Sequence, residues 1–290
     1  MSESLFLADN STKTDPPWQD PEAGFILTPA EIMISQEYQA NKLGACQIAP
    51  ESFAGVADPA FFIGIGIQAG IRSGISAQGN INMVQRLVVY RPALLGEVLV
   101  VRGEIESVDE VPRGHQVSTK VTFEDKQGGL VIDASRTSLR PDPDKRGARG
   151  AGERPQPVVS DPSLAVALGV HKLRPERVKD YSVEGNSIHY EEAAAKAAGF
   201  RAPMIGGGMG VHYLSAALFS RCSPNALDMD IYFRRPIFWD EEFSSAILAI
   251  DNNKTSQNQF AAWRALCLLR DEGDKGLKVL TEARLNSVSV

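Results

Sequence analysis

Cysteine is scarce in this sequence, with only Cys46, Cys222 and Cys267 among 290 residues and no CxxC pair. Such wide spacing argues against a disulfide framework and against a thiolate zinc site. Long hydrophobic runs are also missing. The most apolar stretch, FFIGIGI at 61–67, is followed by Gln68 and Arg72, which is far short of the roughly 20 residues that cross a membrane. These absences predict a protein of a reducing compartment, the cytoplasm, with no membrane insertion.

Positive charge is likewise in short supply. Lys and Arg number 30 against 36 Asp and Glu, giving a net charge of −6, and the basic residues are scattered. Because phosphate backbones are bound by clustered positive charge, nucleic acid is excluded as an expected partner. Residues 1–25 carry acids and prolines where a secretory signal needs a basic start and an apolar run. We interpret them as an N-terminal arm.

The chain divides near its middle. Residues 141–160 begin PDPDKRGARGAGERPQP, a composition rich in Pro, Gly and charge that is typical of a solvated linker. The flanking halves, 26–140 and 161–290, each predict a long helix followed by several strands. The predicted helices are 59–75 and 204–219. The predicted strands are 84–89, 98–105, 115–123 and 131–139, then 228–233, 243–250, 259–269 and 276–285; the pattern of 259–269 is equally compatible with a helix.

A short internal repeat relates the two halves. VVYRPALLGE (88–97) aligns without gaps with YFRRPIFWDE (232–241), sharing an Arg-Pro pair and a final Glu. Proline cannot donate to a sheet ladder, so Pro92 and Pro236 are expected where strands end. The alternative is that two unrelated strands each end at a proline. The parallel order of the halves favours duplication: an α+β fold with two antiparallel meanders, each wrapped on one buried helix, forming a pseudo-dimer in one chain.

Candidate acid/base residues occur in the passage 181–214. Asn186 or Ser187 is placed to cap a short helix, so His189 is predicted at its start, with Gly199 placed to terminate it. Glu184 lies five residues before His189. That interval is short enough for both side chains to reach one substrate.

Glycines then mark the start of the second long helix, at positions 206, 207, 208 and 210. Glycines at a helix start let a ligand approach unpaired N–H groups, where the positive end of the helix dipole stabilises a developing oxyanion. A thioester carbonyl is the candidate ligand. The alternative is that these glycines only allow the helix to cross tightly packed neighbours.

The same passage resembles the hydratase motif of MaoC-like, R-specific enoyl-CoA hydratases, YxxSGDxNPxHxxxxxAxxxGFxxPIxHG. The resemblance covers about forty residues, and the two-halves organisation is similar to the double-hotdog members of that family. The chain departs from the pattern with Glu184 for the motif Asp, Ser187 for its Pro and Gly206 for a His. Matching positions are Asn186, Ile188, His189, Ala195, Gly199, Phe200, Pro203 and Gly207.

The resemblance implies a double hotdog that adds water to an enoyl thioester or removes it from the hydroxyacyl product. Glu184 and His189 would be the acid/base pair, and the amide of Gly207 or Gly208 the oxyanion donor. Asn186 would shape the loop. No metal or redox cofactor is implied, and coenzyme A is favoured over acyl carrier protein as the carrier of the substrate.

Two other functions stay open at this point: an acyl-CoA thioesterase, and an inactive acyl-thioester binding protein. Arg234 and Arg235 are candidate contacts for the coenzyme A phosphates. His212 is expected in the core or lining an acyl channel. His115, in a strand, and His171, assigned to the linker, receive no role. A homodimer is a further possible assembly.

Overall fold

The computed structural model consists of two similar halves that together build one continuous antiparallel sheet around two buried helices. It describes residues 5–7, 17–145, 150, 152, 155–182, 185–249 and 263–290. The helices are α1 (Gln36–Ala45), α2 (Phe61–Arg72), α3 (Pro175–Ser182), α4 (Glu192–Ala197) and α5 (Gly207–Phe219). The strands are β1 (Ala30–Met33), β2 (Ile81–Val89), β3 (Val98–Val111), β4 (Gly114–Glu124), β5 (Leu130–Asp133), β6 (Arg136–Pro141), β7 (Val166–Lys172), β8 (Ala226–Phe233), β9 (Glu242–Ala249), β10 (Trp263–Asp271) and β11 (Leu277–Ser289).

The halves join edge to edge through β2 and β8. These strands pair antiparallel from Val84 opposite Tyr232 to Val89 opposite Leu227. Among the described residues the sheet order is β1-β3-β4-β5-β2-β8-β11-β10-β9-β7, with β6 pairing both β2 and β4. Because each half supplies its edge strand to the other, neither leaves that row of N–H and C=O groups open to solvent.

The helices α2 and α5 form the centre of the core. Both are apolar nearly all round, which is typical of buried helices. They touch each other where the Phe61 ring lies 4.5 Å from the His212 ring, centroid to centroid. Gly66 brings α2 close to the sheet, since a methyl group there would lie 3.2 Å from the Val121 side chain. One hydrophobic core therefore runs through both halves.

The predicted duplication is visible in matching hydrogen bonds. In the first half the Leu94 amide donates to the Glu97 carboxylate at 3.0 Å. In the second half the Phe238 amide donates to the Glu241 carboxylate at 3.1 Å. These residues occupy the same places in the aligned segments 88–97 and 232–241. The final Glu shared by both segments therefore makes the same turn after β2 and after β8.

The structure confirms both predicted long helices and refines the predicted strands. The expected strand 131–139 is two strands, β5 and β6, because the chain bends between Asp133 and Arg136. Parts of two other predicted strands, at 250 and 259–262, lie outside the described residues. The assignment of His171 to a linker is wrong: it lies in β7, which pairs with β9. The domain boundaries, including the linker 141–160 and the arm 1–25, stay predictions.

Candidate active site

A cavity of about 380 Å³ opens where the two halves meet. Its lining comes from α2, β2 and β6 of the first half and from the start of α5 and the end of β8 in the second. His189 and the glycines at 206–208 share this cavity. The structure thus brings together the histidine and the helix start that the sequence singled out.

His189 ends a short turn of 3-10 helix, Ser187–His189, and α4 begins three residues later at Glu192. The prediction that His189 starts the helix is therefore wrong by one turn. The helix does end as predicted, with Gly199 just beyond it at a φ of +86°, a left-handed conformation that glycine adopts without strain.

The imidazole of His189 is held in one tautomer. Its Nδ1 lies 2.8 Å from the Met204 carbonyl oxygen, which can only accept, so Nδ1 carries the hydrogen and donates it. Nε2 is then left with its lone pair, ready to accept a proton. Burial lowers the pKa of His189 below its ordinary value, against a smaller raising effect from the Met204 carbonyl. At neutral pH the ring is a neutral base.

The N-terminus of α5 faces that base. Gly206 caps the helix, and a methyl group on it would lie 3.6 Å from Nε2 of His189. The first amides of a helix have no intrahelical acceptor, so those of Gly207 and Gly208 are suited to hold an oxyanion. The packing alternative also holds at one position. A methyl group on Gly207 would lie 2.8 Å from the Phe233 ring, so that glycine also permits a close helix-sheet crossing.

Asn186 shapes the loop before His189. Its Oδ1 accepts from the Gly79 amide and its Nδ2 donates to the Asn80 carbonyl, each at 3.1 Å. Asn186 is buried, so these bonds tie the His189 loop to the first half. Glu184, the predicted acid, lies outside the described residues, and its role stays a prediction.

The two candidate phosphate-binding arginines have different surroundings. Arg234 pairs with the buried Glu282, with Nε 2.7 Å from the carboxylate, and also donates to the carbonyls of Pro155 and Gln156. These structural contacts occupy its guanidinium nitrogens, and a role for Arg234 in binding phosphate stays a prediction. Arg235 is exposed and donates through Nη1 to the Val279 carbonyl. Its Nε and Nη2 make no hydrogen bond to the described residues, so contact with a coenzyme A phosphate stays a prediction for Arg235.

A buried hydrogen-bonded network beside the cavity was missed by the sequence analysis. Asp58 Oδ2 accepts from Nδ1 of His212 at 2.6 Å, and Asp58 Oδ1 accepts from Ser215 Oγ at 2.6 Å and the Ala60 amide at 2.9 Å. On its far side, Nε2 of His212 lies 2.8 Å from the Tyr181 hydroxyl, and Tyr181 lines the cavity. The available signal was Asp58 before Pro59 and an apolar helix, a pattern typical of an N-cap.

Among the described residues, no cluster of three or more His, Cys, Asp or Glu side chains is arranged to hold a metal ion. Within the same part of the chain, no helix is both long and apolar enough to cross a membrane.

Comparison with known structures establishes the fold. A MaoC-like dehydratase from Phytophthora capsici superposes with a TM-score of 0.64 at 17% identity, over 91% of this chain and 96% of its own. HtdX from Mycobacterium tuberculosis gives 0.62 at 18% identity, over 90% and 98% of the two chains. A further M. tuberculosis protein, described as having a double hotdog fold, gives 0.55 at 15% identity over 91% and 95%. The chain is a double hotdog.

That result confirms the predicted α+β double hotdog and, at the level of fold, the resemblance to MaoC-like proteins. No protein-family model and no curated protein sequence matches the chain. Because these structures are less than one fifth identical to the chain in sequence, the comparison establishes the fold but not the activity. In this double hotdog the second half supplies the histidine and the helix start, while the first half closes the cavity from the other side.

Proposed function

We propose that the protein adds water to an enoyl thioester, or removes it from the 3-hydroxyacyl thioester, with coenzyme A as the carrier. The observation that carries this proposal is the position of His189 Nε2. The neutral, lone-pair-bearing nitrogen faces the first turn of α5 across a few ångströms. A base beside an oxyanion site is the combination needed for proton transfer at the carbon next to a thioester carbonyl.

In the proposed reaction the thioester oxygen accepts hydrogen bonds from the amides of Gly207 and Gly208. In dehydration, a base takes the proton from the α carbon, negative charge moves onto the thioester oxygen, and the β-hydroxyl leaves with a proton from an acid, so that water and the enoyl thioester result. Hydration is the reverse. We assign the proton-accepting nitrogen to His189 and propose Glu184 as its acid/base partner.

Further parts of the site are proposed to bind the carrier and the acyl chain. The exposed guanidinium of Arg235 at the end of β8 is the proposed contact for a phosphate of the carrier. The first half is proposed to hold the acyl chain, because its helix α2 and strands β2 and β6 complete the cavity wall. A homodimer and a cytoplasmic location stay predictions.

The test is an assay of purified protein against a panel of enoyl-CoA esters. Loss of the conjugated enoyl absorbance without release of free thiol is the expected result. Thiol release would instead indicate a thioesterase, and tight binding without either change would indicate a binding protein. Both outcomes contradict the proposed hydratase.

His189→Ala assigns the activity to this site. We expect a fall in kcat of about 100- to 10,000-fold, the usual contribution of a positioned acid/base residue, with the fold preserved. His115→Ala is the matched control, because His115 lies exposed on β4. Equal activity of the two variants would remove His189 from the mechanism.

A further inference from the structure

One charged side chain in the cavity, that of Arg136, lacks an ion-pair partner within the part of the chain that the structure describes. Arg136 begins β6, opposite Gln85 on β2 and Thr119 on β4, both of which are buried. Thr119 lies on the same sheet face as Val121, which packs against α2. A methyl group on Gly70 of α2 would lie 3.7 Å from Nη2 of Arg136. The guanidinium therefore lies between the sheet and the central helix of the first half.

The surroundings of Arg136 leave its charge uncompensated. The side chain as a whole is half-buried, yet its Nη1 is fully shielded and has no hydrogen-bond partner among the described residues. No carboxylate within that part of the chain forms an ion pair with it, in contrast to Arg234 and its buried partner Glu282. Burial lowers the pKa of Arg136 to about 10, so the group remains protonated at neutral pH. Burying an unpaired charge destabilises a fold, which calls for a functional explanation.

Other unsatisfied polar atoms cluster in the same cavity. Asn80 Oδ1, Asn82 Oδ1 and Ser182 Oγ are buried without a hydrogen-bond partner among the described residues, and all three residues line the cavity with Arg136. Buried polar groups in proteins are almost always paired. Several such groups around one cavity point to a polar ligand there, and the arginine selects for negative charge.

We propose that Arg136 binds a carboxylate carried on the acyl chain, so that the preferred substrates are coenzyme A esters of dicarboxylic acids. A carboxylate matches one guanidinium in charge and in planar, bidentate geometry. The acyl chain rather than the carrier reaches Arg136, because the thioester carbonyl lies at the start of α5 and the acyl chain extends into the first half. The orientation of the ester rests on the proposed function.

The test measures binding, so that it does not depend on turnover. Affinities are measured by titration calorimetry for the saturated C4 to C6 dicarboxylic mono-CoA esters, for their methyl esters, which lack the charge, and for free coenzyme A. We expect the best-fitting dicarboxylic ester to bind about 10- to 100-fold more tightly than its methyl ester, the range of a charged hydrogen bond made or lost. Arg136→Met should abolish this preference and leave the affinity for free coenzyme A unchanged.

Arg140→Met is the matched control, because Arg140 lies on the same strand but pairs with Asp20; it should keep the preference. The melting temperature of Arg136→Met should equal or exceed that of the wild type, since an unpaired buried charge is removed. Equal affinity of the wild type for charged and uncharged esters would overturn the proposal. So would a loss of free coenzyme A binding in Arg136→Met, which would assign the arginine to a carrier phosphate. A binding preference without any hydration would leave Arg136 assigned and overturn the proposed function alone.

Discussion

Replacing Asp58 by alanine is expected to destabilise the protein strongly, because this buried carboxylate joins the central helices of both halves. Asp58 and His212 have no solvent exposure. The substitution leaves the donors of His212 Nδ1, Ser215 Oγ and the Ala60 amide without their acceptor. Leaving a buried donor without its acceptor costs about 1–3 kcal/mol, so the loss of three such bonds is expected to cost about 3–5 kcal/mol at the lower end of that range, against a total stability of about 5–15 kcal/mol for a typical domain.

The expected shift in melting temperature follows from the chain length. With about 2.1 cal/mol/K of unfolding entropy per residue, the 290 residues give roughly 0.6 kcal/mol/K, so Asp58→Ala should lower the melting temperature by about 5–8 °C. Asp58→Asn should cost less, about 1–2 kcal/mol. Its side-chain oxygen still accepts from Ser215 and Ala60, and His212 can take the other tautomer to accept from the new amide.

Differential scanning calorimetry measures the melting temperatures of both variants. Asp274→Ala is the matched control, because Asp274 is exposed and such surface changes stay within about 0.5 kcal/mol. If Asp58→Ala and Asp274→Ala melted at the same temperature, the reasoning would be refuted. An equal loss for Asp58→Asn and Asp58→Ala would contradict the tautomer argument and leave the burial argument in place.

The remaining predictions concern His189 and Gly207 in the site and, for comparison, Gly44 in α1. Burial lowers the pKa of His189, so the ring stays unprotonated at pH values below the ordinary histidine pKa of about 6.5. We therefore expect kcat/KM to fall only at more acidic pH. An acidic limb of the pH profile centred above about pH 7 would contradict this. As the pH falls below about 6.5, His189 of the unfolded chain takes up a proton before His189 of the folded chain does. The contribution of His189 to the free energy of unfolding is therefore present above about pH 6.5 and is lost as the pH falls through the folded pKa. Urea titrations at a series of pH values measure this change. Gly207→Ala should destabilise by about 1–3 kcal/mol, because its methyl group would lie 2.8 Å from Phe233. Gly44→Ala, in α1 with no atom within 4 Å of its methyl group, should instead stabilise by about 0.5–1 kcal/mol, and thermal melts of the pair check both signs.

The repetition of elements along the chain was predictable from local patterns. Apolar runs and alternation report which residues are buried within one element, so α2, α5 and most strands were found from the sequence. Shorter polar helices such as α1 and α3 were missed, because they are only ten and eight residues long and carry few apolar residues, and such short helices are stabilised mainly by packing against the core. The turns made by Glu97 in the first half and Glu241 in the second were recognisable in the sequence, because two turns with the same hydrogen bond require the same residue at the same position.

The sequence by itself indicated the two-halves architecture and the glycines at the start of α5, because these depend on neighbours close along the chain. It singled out His189 but placed it one turn too far along, at the start of α4. Only the tertiary structure decided which distant groups meet. It paired Asp58 with His212 across 154 positions, gave Arg234 a partner in Glu282 and left Arg136 without an ion-pair partner among the described residues. Whether a buried charge is compensated depends on which side chains face each other across the core. Separation along the chain does not tell which of them come close in space.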